Sequence, residues 1–241
     1  MSFKSNTNAL NFARRTSSLG TFSNGATLIA HAKLASASDQ GVLLQMKTTT
    51  GSGNRKYYVF CGSGPAFLGG YGTTGSGDHG DYTASPPAST ANWTLFCIRV
   101  TSGGAVDISY SADGSSLTSL YSISAGVTGI TEISVGTNED SAFRQTPVNA
   151  LFAYLSYWPN TRLTDGEVLA EYNRQVPEKA GATIYSPLLD DLLDDSGNGY
   201  DLTSSGSSSV GFDAAMPSYV NEGGGGSSLA PKAHYYRMMS A

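Results

Sequence analysis

Five residues in one Gly-rich stretch have the types that bind a sugar: Tyr71, Asp78, His79, Asp81 and Tyr82. A tyrosine ring packs on the apolar face of a pyranose, while carboxylates and an imidazole exchange hydrogen bonds with its hydroxyls. Tyrosines in Gly-rich loops also serve plain packing and interfaces, and that reading stays open. Asp78 and Asp81 are hard oxygen ligands too, and a second acidic group comprises Asp190, Asp191, Asp194, Asp195 and Asp201. Such oxygens select calcium, but the Asp-x-Asp-x-Asp-Gly spacing of a calcium loop is absent. The expectation is no cofactor, with calcium the one candidate metal and solvated carboxylates the simpler explanation of both groups.

Catalytic constellations are harder to assemble. The 3 histidines offer few bases, and Gly51-Ser52-Gly53 and Gly62-Ser63-Gly64 read as turns rather than as the Gly-x-Ser-x-Gly elbow of a serine hydrolase. Paired Cys or His at zinc spacing do not occur. Cys61 and Cys97 lie in apolar strand contexts and read as buried thiols. His31 alternates with apolar neighbours and reads as packed or surface-exposed. The chain is therefore expected to be non-enzymatic, with no catalytic residue.

Short strands must position these groups. Asn92–Val100 is apolar or aromatic on both alternating faces, as a strand buried on two sides would be. Thr101-Ser102-Gly103-Gly104 supplies turn residues and Ala105–Tyr110 alternates, which predicts a hairpin. After a turn at Ser111–Ser115, strands are expected over Leu117–Ile123, Ile130–Val135 and Phe152–Trp158, with Trp93 and Trp158 in or near the core. Upstream, 27–34, 42–47 and 56–61 are strand-like, whereas 62–91 reads as a long irregular insertion. A brief helix over Leu163–Tyr172 opens with a capping box of Thr164 and Glu167.

In that order, the Asn92-Trp93-Thr94 strand, the Tyr110-Ser111-Ala112-Asp113-Gly114 hairpin, the Phe152–Trp158 strand, the Leu163-Thr164-Asp165-Gly166-Glu167 helix and the trailing Asp194-Asp195-Ser196-Gly197-Asn198 resemble the laminin G-like, concanavalin A-like jelly roll. The resemblance covers Thr21 to Leu202. It implies an all-β sandwich of two antiparallel sheets with one short helix, and little about activity. Enzymes of this architecture carry Glu-x-Asp-x-x-Glu on one strand, with carboxyl groups about 5 to 5.5 Å apart in the retaining mechanism. Here Glu132, Glu139 and Asp140 are the nearest acids, and Glu132-Ile133-Ser134 lacks the alternating partner. Laminin G-like domains often carry a rim calcium site. Single domains of this kind with terminal tails look like lectin-fold proteins on the virions of tailed bacteriophages. That likeness implies a virion structural protein, decorating the capsid or associated with the tail.

Composition and the tails bound the partners. A net charge of −5 without a Lys/Arg stripe argues against nucleic acid. No segment approaches the ~18 uninterrupted apolar residues of a membrane span, and Met1–Asn6 lacks the apolar core of a secretory signal. Synthesis in the host cytoplasm and residence in the virion are the expectation. Residues 1–20 read as an N-terminal arm or edge strand, 21–221 as the sandwich, 222–228 as a Gly/Ser linker and 229–241 as a docking peptide. In that peptide Tyr235, Tyr236, Arg237, Met238 and Met239 supply adaptable contact area. Expected partners are other virion proteins, either the major capsid protein or a tail component, a second copy through exposed sheet edges, and host surface glycan through 62–91.

Overall fold

The strand runs pair into two antiparallel sheets in the computed structural model, which describes residues 2–4, 12–17, 19–20, 22–34, 41–50, 53–61, 67–73, 76–79, 92–136, 150–173, 177, 179–188, 192–205 and 211–213. In chain order the strands are β1 (Ser2–Lys4), β2 (Phe12–Arg15), β3 (Ala26–Leu34), β4 (Gly41–Thr50), β5 (Gly53–Cys61), β6 (Phe67–Thr73), β7 (Ser76–His79), β8 (Thr94–Val100), β9 (Ala105–Ser111), β10 (Thr118–Ser124), β11 (Val127–Gly136) and β12 (Ala150–Trp158). Helix α1 (Asp165–Ala170) and a 3-10 turn (Glu171–Asn173) follow, then β13 (Ile184–Ser186), β14 (Thr203–Ser205) and β15 (Gly211–Asp213). Sheet A runs β10-β9-β8-β3-β12-β1-β15, with β13 also on β12, and sheet B runs β14-β2-β11-β4-β5-β6-β7. This is the concanavalin A-like, laminin G-like jelly roll. The first twenty residues, expected as an arm or an edge strand, instead place β1 between β12 and β15 and β2 between β11 and β14. Among the described residues no helix is long and apolar enough to cross a membrane.

Alternation sorts the side chains into layers. Leu28, Ala30, Phe96, Ile98, Val106, Ile108 and Phe152 of sheet A meet Leu44, Met46, Tyr57, Val59, Ile133 and Val135 of sheet B between the sheets. The opposite face of sheet A is buried as well. There Ile29, Leu95, Cys97 and Trp158 pack against Leu163 and Val168 at helix α1, which is why β8 is apolar on both of its faces. Burial pushes the Cys97 thiol up to about 12, so it stays an inert, protonated apolar group. Cys61, on β5 of the other sheet, is buried too.

A six-residue helix cannot hold itself together in water. Its ends and its docking do so. The Thr164 hydroxyl accepts from the Glu167 N–H at 3.3 Å and Glu167 Oε2 accepts from the Thr164 N–H at 2.9 Å, the expected capping box. Lys179 donates to the same carboxylate, and with the Thr164 N–H it holds Glu167 at about 2. From below, buried Arg99 on β8 donates to Asp107 Oδ2 of β9 through Nε (3.0 Å) and Nη2 (2.5 Å). Its Nη1 reaches Asp165 Oδ1 (2.5 Å) and the Leu163 carbonyl (3.2 Å). In the Leu163-Thr164-Asp165-Gly166-Glu167 run, Leu163 fills the apolar layer, Thr164 and Glu167 cap, and Asp165 meets the guanidinium.

Strand β12 changes partner midway. Leu151 and Phe152 pair with β1, whereas Leu155 to Tyr157 pair with β13. The switch is made at Tyr154, where φ is 53° and the register with β3 slips; its N–H leaves the ladder for the Pro187 carbonyl at 3.0 Å. The Tyr154 ring meets His31 of β3 edge-on at 6.1 Å, and Tyr172 lies 5.9 Å from the same imidazole. His31 Nε2 is 3.1 Å from the Tyr172 carbonyl, so Nε2 carries the proton. Burial lowers its pKa to about 4, against the opposing pull of that carbonyl.

Both buried ionisable groups of this layer should be visible in stability measurements. Arg99→Met leaves Asp107 facing an apolar group and is expected to lower the unfolding free energy by about 3 kcal/mol in denaturant titration. Asp165→Asn, at a side chain 71% exposed, should cost under ~1 kcal/mol; equal losses would contradict the assignment of the guanidinium as the tie. The unfolded chain takes up a proton at His31 near pH 6.5, which the folded chain refuses until about pH 4. Stability from this residue is therefore whole above pH 6.5 and falls by roughly 3 kcal/mol between there and pH 4. His31→Phe should flatten that part of the pH profile, and parallel profiles would refute it.

Candidate functional site

Part of the 62–91 stretch, expected as an irregular insertion, is sheet. Strand β6 pairs with β5 and β7 pairs with β6, placing Tyr57 opposite Tyr71 and Tyr71 opposite His79. The structure thus brings Tyr71, Asp78 and His79 onto neighbouring strands at the end of sheet B, while Asp81 and Tyr82 lie outside the described residues. The glycines that suggested a loop are there for close packing. A Cβ on Gly69 would stand 2.8 Å from the Cβ atoms of Leu120 and Tyr121 on β10, where the edges of the two sheets pinch together. A Cβ on Gly70 would stand 3.0 Å from Tyr58 Cε2.

That pinch builds an aromatic cluster. The half-buried Tyr71 ring lies 6.2 Å from Tyr57 and 5.9 Å from Tyr121, tilted to both. The Arg55 guanidinium, also half-buried, sits 5.3 Å from the Tyr71 ring centroid, within cation–π range. Tyr71 is therefore a packing residue, as the second reading of the sequence allowed, whose half-buried ring lies beside a cation. Burial raises the Tyr57 hydroxyl above its ordinary pKa while Arg55 pulls it down. Arg55, Tyr57 and Tyr121 were not singled out in the sequence, although β5 alternates the first two in plain view.

A second cluster lies on the face of sheet B turned away from the core. Glu132 Oε1 lies 3.0 Å from Lys47 Nζ and 3.4 Å from Gln45 Nε2, and its Oε2 lies 3.6 Å from an Arg14 nitrogen. Gln45 Nε2 is also 3.5 Å from the Ser134 hydroxyl. Val42, Tyr58 and Phe60 form the apolar part of this face, and all of these but Lys47 and Arg14 are buried. The Glu132 carboxylate is tied to two cations, so its chemistry is that of an ion pair rather than of a general acid. Glu139 and Asp140 lie outside the described residues.

The acidic closing segment organises a turn. Asp194 Oδ1 accepts from the Tyr185 and Ser196 N–H groups (2.9 and 3.0 Å), and Oδ2 from the Ser196 hydroxyl and the Tyr200 N–H (2.7 and 2.9 Å). Asp201 Oδ1 takes the Asp194 N–H at 2.9 Å. With each oxygen accepting two hydrogen bonds, three from its own turn and one from β13, Asp194 is neither a solvated surface carboxylate nor an open ligand. Asp190 and Asp191 lie outside the described residues, as do the linker and the docking residues Tyr235, Tyr236, Arg237, Met238 and Met239. Among the described residues no three His, Cys, Asp or Glu side chains gather as a metal site.

No family model and no curated protein matches the chain. Solved structures do. A Bacteroides ovatus protein described as carbohydrate binding is 12% identical with a TM-score of 0.57, over 90% of this chain and 62% of its own length. A heptameric SAP-like pentraxin from Limulus polyphemus is 16% identical with a TM-score of 0.46, over 70% of this chain and 79% of its own. Domains LG4-5 of the mouse laminin alpha1 chain are 8% identical with a TM-score of 0.43, over 64% of this chain and 42% of that one. Sialidase and glycosidic hydrolase chains are also among the matches. These likenesses are of fold.

The pinch at Gly69 is directly testable. Gly69→Ala should destabilise by about 2 kcal/mol, since the new methyl must push the sheets apart. Gly166→Ala, in helix α1 with nothing within 4 Å of the added carbon, should be neutral or stabilising by up to ~1 kcal/mol. Equal thermal midpoints for these variants would show that the sheets do not meet there.

Proposed function

We propose that this chain is a non-catalytic, lectin-type recognition domain that binds saccharide at the β6–β7 edge and is held on a larger particle by its C-terminal segment. The observation that carries the reading is the half-exposed Tyr71 ring, backed by Tyr57 and Tyr121, flanked by Arg55, and in register with His79. An aromatic face with polar neighbours at a sheet edge is what a pyranose needs. The fold likeness to a protein described as carbohydrate binding agrees with this. The non-catalytic part of the reading is supported by Glu132, whose carboxylate is engaged by Lys47 and Arg14.

The particle is read as a virion, with the capsid or a tail component as the attachment partner and host glycan as the ligand. What supports it is the sequence beyond the sandwich: Gly223-Gly224-Gly225-Gly226-Ser227-Ser228 followed by a Tyr-, Met- and cation-bearing peptide.

On a glycan array followed by calorimetry, Tyr71→Ala should weaken the best ligand about tenfold, as expected for loss of one aromatic stack. A blank array with calcium present would overturn the recognition role, and turnover of any polysaccharide would overturn the non-catalytic one. Removing 223–241 should abolish incorporation into particles while leaving glycan binding intact; unchanged incorporation would contradict attachment by the tail.

A further inference from the structure

The edge of a sheet presents unpaired backbone groups, and proteins blunt such edges with short strands, charges or proline. Among the described residues, sheet B ends at β14 and β7 and sheet A at β15 and β10. Three of these ends are blunted. β14 and β15 have three residues each and β7 has four, with Asp78 and His79 in β7 and Asp213 in β15. β10 differs, with seven residues, Thr118–Ser124, and neither a charge nor a proline. Its backbone ladder among the described residues is with β9 alone. The one guarding feature is the register slip between Ser119 and Tyr121, after which Tyr121 to Ser124 run in regular register against Ile108 to Ala105. Thr118, Ser119, Ser122 and Ser124 are exposed and Ile123 is half-buried. From the other sheet Gly69 lies against Leu120 and Tyr121, which backs the edge and holds it in place.

We infer that β10 pairs antiparallel with β10 of a second copy, joining the two A sheets into one across a two-fold axis. Self-pairing is the occupancy that the composition favours. A two-fold axis sets the strand against itself, where any charge would meet a like charge, and β10 carries none. Pairing also completes the burial of Ile123, which already packs on the core. One strand pair is a small interface, so the association is weak and concentration-dependent. Where it forms, two β6–β7 edges flank one seam, because the Tyr121 ring lies 5.9 Å from Tyr71. Only a further consequence rests on the saccharide reading: a ligand with repeated saccharides would engage both edges at once.

Sedimentation velocity on the full-length chain over rising concentration tests the pairing, and a monomer–dimer equilibrium is expected. Ser119→Lys/Ser124→Lys, at two exposed positions, should leave the thermal midpoint near that of the unmodified chain. It should raise the dimer dissociation constant about tenfold or more. Ser119→Glu/Ser124→Glu should do the same, and mixing the two variants should restore dimers, since opposite charges then meet across the seam. A chain that stays monomeric at every concentration, a dimer indifferent to the lysines, or a mixture no tighter than either variant alone would overturn the inference. None of these outcomes touches saccharide binding by a single chain, which stands or falls on the glycan array.

Discussion

Arg99 is a cation almost wholly inside the protein, 4% exposed, and it is tolerable there because each of its three nitrogens donates to an oxygen. Asp107 on β9 takes two of its bonds, and the Leu163 carbonyl and Asp165 at the start of helix α1 take the others. The guanidinium therefore fixes where the helix begins relative to the β8–β9 hairpin. With the helix in place, the outward faces of β3 and β8 are dry, and Ile29, Leu95, Cys97 and Trp158 become a second core. His31, Tyr154 and Tyr172 lie in this same layer, which is why the imidazole stays neutral in ordinary buffers.

The two sheets have different roles. Sheet A is covered on both faces at β3, β8 and β12 and is pinned by the Tyr154 partner switch and by the Asp194 turn, whose carboxylate ties β13 to the closing segment. Sheet B carries its polar groups on strands β4, β5 and β11 and ends at β7. At that end Gly69 lets sheet B touch β10, and the rings of Tyr57, Tyr71 and Tyr121 fill the narrow space.

Most of the fold was legible where two signals coincided. The β8–β9 hairpin had both alternation and a Gly-bearing turn, and helix α1 had a capping box that the structure reproduces bond for bond. Strand β6 was hidden because Gly69, Gly70 and Gly72 are turn residues by propensity, and only the packing around Gly69 and Gly70 explains why no side chain fits there. Strands β1 and β2 were hidden because three or four residues are too few for a period to show. At the candidate site Tyr71 and His79 could be picked by type. Arg55, Tyr57 and Tyr121 could not, since their meeting depends on the β5–β6 register and on contact between sheets. Glu132 was seen to lack a second acid along its strand, but its cations come from β2 and β4, which no local reading connects.

In the proposed reading the sandwich is a rigid support and recognition falls to one edge of sheet B. Backbone amide shift mapping during titration with a bound saccharide tests this most directly. The changes should centre on Arg55 to Tyr57 and on Tyr71 and Gly72, with Gln45, Glu132 and Ser134 unmoved. Changes centred on the Glu132 face of sheet B, or on the Trp93 side of sheet A, would contradict it.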